Sequence, residues 1–161
     1  MQGITPCLWF DDNAEEAIEF YGTIFPNLKV HEMSRYGEGG PGPAGQVMAV
    51  TWEMRGLRVM AINGGPQFPQ TEAFSLMVQA ESQDEADELW AKLTADGGEE
   101  GQCGWCKDKY GVSWQIVPAG FFDVISDPDP QRAQRAMTAM LKMRKLDIAA
   151  LRRAADGKAD A

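Results

Sequence analysis

The chain has 161 residues, 44% apolar and 24% charged, which suits one compact unit or a pair of fused half-domains and excludes two large domains. No apolar run approaches the roughly 20 residues that cross a bilayer, and no basic segment precedes MQGITPCLWF, so the expectation is a cytoplasmic protein with neither membrane span nor signal peptide. A formal net charge of -9, with no Lys/Arg cluster outside the C-terminal tail, argues against nucleic acid as a partner.

ITPCLWF (Ile4 to Phe10) is a compact β-type run. DDNAEEAIEFYGTIFP then has helix grammar. Asp12 or Asn13 is placed to cap and Glu15 and Glu16 sit in the first turn; Ala17, Phe20, Tyr21 and Ile24 form one stripe, and Pro26 stops the helix. Three β-like segments follow: Leu28 to Tyr36, Gln46 to Met54 and Leu57 to Asn63, the last two joined by an Arg55-Gly56 turn. GEGGPGPAG (Gly37 to Gly45) is a flexible loop. The order is βαβββ.

After the connector NGGPQFPQ the pattern restarts. AFSLMVQA (Ala73 to Ala80) reads as a strand. Ser82 caps a helix whose stripe, Ala86, Leu89, Trp90 and Leu93, lies about 69 residues after Ala17, Phe20, Tyr21 and Ile24, position for position. Gly97-Gly98 ends that helix, and strands around Glu99 to Lys107 and Val112 to Pro118 complete a second βαβββ unit with one short or irregular strand. The tail starts a helix near Asp129 or Pro130, with Ala133, Met137, Met140 and Leu141 on one face, and Asp147 recaps a short last helix. A Met-rich face of this kind is expected to pack on a second chain, giving a homodimer.

Four stretches, LWFDDNAEEAIEFY, AINGGPQF, CGWCKDKYGVSWQIVP and SDPDPQRAQRAMTAMLKMRKLDIAAL, resemble the PhnB-like group of the glyoxalase/bleomycin resistance/dioxygenase (vicinal oxygen chelate) superfamily, often labelled 3-demethylubiquinone-9 3-methyltransferase. The resemblance implies an α+β fold of two βαβββ modules, about 1–66 and 67–120, that curl their sheets around a cavity, with residues 121–161 a helical extension. A methyl transfer from S-adenosylmethionine normally needs a glycine-rich strand-to-helix turn, whereas the glycines at Gly37 to Gly45 precede a strand.

The superfamily's enzymes usually hold a divalent metal with His and Glu side chains. The corresponding last-strand pattern falls here on Asp108, Gly111 and then Gln115, while the strand opening the second half offers Ser75 and the first strand Thr5 and Cys7. An amide, a hydroxyl and a thiol are a poor set for such a cation, so no metal and no other cofactor is expected.

CGWC (Cys103 to Cys106) precedes a turn and a strand, which denies a thioredoxin-type pair its helix N-terminus. A second ligand pair for structural zinc is missing. The resemblance implies an apolar residue at the last position of that motif, so Cys106 is expected as a small buried hydrophobe. His31, the sole histidine, reads as a solvent-facing strand residue with no evident orienting partner. Asp11 and Asp12 read as helix-cap residues, and Lys107, Asp108 and Lys109 as a solvated turn.

Candidate ligand contacts are Cys7, Trp9, Trp52, Ser75, Trp105, Trp114 and Gln115, with Trp114 and Gln115 on opposite faces by strand alternation. The alternative is that the aromatics fill the core. The leading expectation is a metal-free protein that binds or sequesters a small, largely apolar or aromatic molecule. The competitors are an enzyme of the superfamily (metal-dependent lyase, isomerase or dioxygenase type, or a methyltransferase as the label says) and a purely structural module.

Overall fold

The computed structural model describes residues 3–158, so the last three residues of the tail lie outside the description. Two compact units, Met1–Gln70 and Thr71–Ala161, each contain one four-stranded sheet. In the first, β1 (Cys7–Phe10), α1 (Ala14–Ile24), β2 (Lys29–Arg35), β3 (Val47–Met54) and β4 (Leu57–Asn63) give the sheet order β1-β4-β3-β2. β1 lies parallel to β4 and the other pairs are antiparallel. In the second, β5 (Leu76–Gln79), α2 (Gln83–Leu93), β6 (Glu99–Glu100), β7 (Trp105–Lys107) and β8 (Ser113–Val117) repeat that order as β5-β8-β7-β6. The two helices start 69 residues apart, so the repeated stripe was a true duplication signal, and β6 is the short strand.

Strand alternation divides each sheet into a helix-covered and an open face. In the first unit Leu8, Phe10, Val50, Trp52, Val59 and Ala61 are buried against α1, which contributes Ala14, Ala17, Ile18, Tyr21 and Ile24. Each Val, Leu, Ile or Phe among them removed from water contributes about 1.5–3 kcal/mol, the alanines less. The β3–β4 hairpin turns at Arg55-Gly56, both at positive φ (48° and 78°), as a two-residue primed turn requires.

The start of α1 is fastened differently from expectation. The Asn13 side chain makes no cap bond. Instead Asn63, 6% exposed at the end of β4, accepts from the Ala14 N–H (2.9 Å) and donates through Nδ2 to the Val47 carbonyl (2.9 Å). One amide thus ties the helix start to the ends of two strands. Helix α2 uses the expected local cap, with Ser82 Oγ accepting from the Glu85 N–H at 3.1 Å.

The tail forms α3 (Phe121–Ile125), which the sequence reading did not anticipate, then α4 (Pro130–Met140) and α5 (Ile148–Ala155). Asp129 and Asp147 cap the last two by accepting from Gln131 N and Ala150 N. These helices pack on their own chain: Val117, Phe121, Val124, Ala136, Leu146 and Leu151 form a core, flanked by Met140 and Met143. Of the face expected to carry Ala133, Met137, Met140 and Leu141, Met140 packs on this core. Ala136 is the fully buried residue of α4, while Leu141, expected on the Met-rich face, is 63% exposed where the helix ends. Among the described residues no helix is long and apolar enough to cross a membrane.

Candidate ligand-binding faces

On the second sheet, Leu76, Val78, Cys106, Trp114 and Ile116 are buried on the face that α2 covers. Met77, Gln115 and Trp105 sit side by side in register on the other face. Gln115 donates through Nε2 to Ser75 Oγ at 2.8 Å, placing a polar pair beside an indole and a half-exposed thioether. Lys107, on the same face as Trp105, pairs with Glu72.

Trp114 does not belong to this face. It is fully buried, and its indole N–H donates to Asp108 Oδ2 at 2.8 Å. Asp108 itself is 2% exposed, and its Oδ1 accepts from the N–H groups of Tyr110 (2.9 Å) and Val112 (3.1 Å). The expected solvated turn is thus a buried anchor. A carboxylate taking two backbone donors and an indole is satisfied, whereas an unpaired one at this depth would cost several kcal/mol.

On the first sheet, Cys7, Trp9, Thr51, Met60 and Ile62 occupy the face away from α1. Trp9 is held in place: its indole N–H donates to the Gly65 carbonyl (2.7 Å), and its ring meets Phe68 edge-on with centroids 4.9 Å apart. A Cβ at Gly64 would come within 2.2 Å of the Trp9 ring, so the glycine is what lets the connector cross the indole. Trp52, like Trp114, is fully buried on the helix-covered side and is a core residue, not a wall of the open face. His31 does have a partner: its Nε2 lies 3.3 Å from Glu53 Oε2, at a register shift in β2. Asp11 and Asp12 are exposed, and the Asp11 carbonyl receives the Gly65 N–H (3.0 Å).

A family model described as 3-demethylubiquinone-9 3-methyltransferase matches residues 2–117. The chain belongs to that family. It is 37% identical to the PhnB protein of Bacillus cereus, with a TM-score of 0.67 over 73% of this chain and 100% of that one. Protein PA1353 from Pseudomonas aeruginosa (23% identity, TM-score 0.60, 73% and 98% covered) has the same fold. So does the fosfomycin resistance protein FosX of Listeria monocytogenes, solved with Mn(II) and sulfate (18% identity, TM-score 0.51, 71% and 89% covered). The chain is thus a glyoxalase-like, vicinal oxygen chelate protein of the PhnB-like group. No protein with a curated description matches. The family match stops at residue 117, and the helical tail lies beyond it.

The superfamily's metal does not fit the residues this family member offers. Gln115 carries a neutral amide, where the superfamily pattern has an acidic ligand, and its Nε2 donates to Ser75 Oγ. Thr5 is exposed before β1 begins, and partial desolvation raises the Cys7 thiol above its ordinary value, keeping it neutral near pH 7. Among the described residues no three His, Cys, Asp or Glu side chains gather as a ligand set. Neutral amide, hydroxyl and thiol groups do not supply the charge that a hard or borderline cation draws from carboxylate and imidazole.

CGWC has a structural role that its spacing did not disclose. Cys103 (φ 56°) and Gly104 (φ 83°) turn the chain so that their N–H groups donate to the Met143 and Arg144 carbonyls of the tail, at 2.8 and 2.7 Å. The Gly104 carbonyl accepts from Ile116 N at 2.8 Å. Cys106 is 3% exposed and its thiol is pushed up to about 12, first by burial and then by Asp108 and Glu100 nearby. Alkylation of the native protein at pH 8 followed by peptide mass analysis should therefore label Cys7 first and leave Cys106 untouched until the chain unfolds. Early labelling of Cys106 would contradict this placement.

Proposed function

We propose that the protein is a metal-free binder of a small, largely apolar or aromatic molecule, seated on an open sheet face, with no covalent chemistry of its own. The Ser75–Gln115 pair carries this reading. It sets one neutral donor–acceptor couple at 2.8 Å among Met77 and Trp105, where a superfamily enzyme would need a charged ligand. A flat apolar body gains contact with the indole and thioether, and the amide and hydroxyl orient one polar substituent. Cys7 and Trp9 offer a second aromatic and polar surface on the first sheet, with Phe68 against the indole.

Native mass spectrometry of the freshly purified protein is the direct test. The expected result is a releasable organic adduct, no metal, and a dimer mass if two copies associate. In Gln115→Ala the adduct should be lost or weakened about ten-fold, as expected when a buried polar contact is removed. One tightly held divalent ion per chain that disappears in Gln115→Ala would overturn the reading. The family's name favours a transferase as the second reading. Against it, Gly37 to Gly45 lie in a loop between the antiparallel strands β2 and β3, not at a strand-to-helix turn that could cradle the methyl donor. Saturable binding of S-adenosylmethionine in a calorimetric titration would restore it.

A further inference from the structure

The tail carries charge of the opposite sign to the rest of the chain. Residues 131–158 contain eight Lys and Arg against Asp147 and Asp156 alone, in a protein whose net charge is -9. Part of that positive charge is neutralised within the chain. Arg132 sits between Asp127 and Asp156, Arg144 faces Glu100, and Lys145 faces Asp87. Arg135, Lys142 and Lys158 are placed differently: all three border one groove of about 590 Å³ lined by residues from α4 onward and from the end of α5. That volume lies within the range of small-molecule sites.

The walls of the groove combine two chemistries. Arg135 directs Nε and Nη2 to the Ala155 carbonyl (2.8 and 2.5 Å), which fixes its guanidinium at the groove and leaves further N–H groups to donate. Lys158 reaches its acidic neighbour Asp156 only at 3.8 Å. Between these cations Ala139, Met143 and Ala154 give an apolar floor, with Gln134 and Thr138 as neutral polar neighbours. Three cations, with Arg135 fixed and Lys158 loosely paired, over a mostly apolar floor match an anionic head on a short apolar body. An extended polyanion is a poorer match, because it would also meet the acidic remainder of the chain, whereas a small ion senses only charges within about a Debye length of 8–10 Å.

We propose that this groove binds a small organic anion, a phosphate or carboxylate carried on a compact apolar group. The site is separate from the sheet faces, and it lies outside the residues matched by the family model.

The test is amide chemical-shift titration of the full chain with phenyl phosphate, inorganic phosphate and benzoate at constant ionic strength. Saturable shifts confined to residues 134–158 are expected, with phenyl phosphate or benzoate tighter than inorganic phosphate because only they cover the apolar floor. The double variant Lys142→Glu, Lys158→Glu should lose at least about ten-fold in affinity through charge reversal, with an unchanged thermal midpoint. Shifts scattered over Lys29, Lys92 and Lys109, or equal affinity in the double variant, would overturn the proposal. So would a failure of all three probes to saturate.

Discussion

Replacing Asp108 by Ala should lower stability by about 3–5 kcal/mol, because it removes the acceptor of the buried Trp114 indole and Val112 N–H groups. The carboxylate is 2% exposed and receives the Trp114 indole N–H on one oxygen and the Tyr110 and Val112 N–H groups on the other. Asp108→Asn keeps the volume but turns a donor toward one of those sets, so it should recover only part of the loss. Urea unfolding followed by tryptophan fluorescence reads both variants. A loss below about 1 kcal/mol for the alanine variant would mean that water replaces the carboxylate easily, and that the site is less closed than its burial implies.

Gly104→Ala should be nearly as costly, at about 2–4 kcal/mol, and its effect should be confined to one part of the molecule. The residue sits at φ +83°, and a Cβ there would meet Leu146 Cδ1 at 2.8 Å and the Ile116 carbonyl oxygen at 2.9 Å. The leucine can swing aside but the carbonyl cannot, since it belongs to β8. The tail then has to give up the Gly104 N–H bond to Arg144 and the seating of Leu146. Hydrogen exchange should show faster exchange through residues 121–158, with protection in β1 to β4 unchanged. Uniform loss of protection in both sheets would mean that the substitution unfolds the chain globally.

The repeated helix stripe and the alternating strands were legible because both are local periodicities. Tyr21 and Trp90 occupy equivalent buried positions that period 3.6 alone predicts. The face of each tryptophan was harder to read, since alternation gives relative and not absolute orientation. It separated Trp114 from Gln115 correctly, yet only the packed helices show that Trp52 and Trp114 are core and that Trp105 is on the open side. Long-range fastenings left no local trace. Asn63 caps a helix 49 positions earlier, and Cys103 and Gly104 hold carbonyls some 40 positions later. Asp108 looked solvated because lysines flank it, although the turn that follows folds its backbone donors inward. The short α3 escaped notice because FFDVI is too brief to display a helical period.

Gln83 contains a last asymmetry between the repeats. At the first turn of α2 its side chain donates to the Leu146 carbonyl and accepts from the Ile148 N–H, joining the second module to the end of the chain. Among the described residues the strand pairings of the first module all fall between Cys7 and Asn63, and Asn63 closes its helix from within. On a ribosome adding about 5–20 residues per second, the first module has the partners of these pairings while the second is still being made. The second must wait for the final helices before Val117, Phe121 and Leu151 can leave water together. During that interval its unfinished core is the exposed, adhesive surface of the nascent chain, and the segment carrying Leu146 and Leu151, made after the second sheet, is the one that covers it.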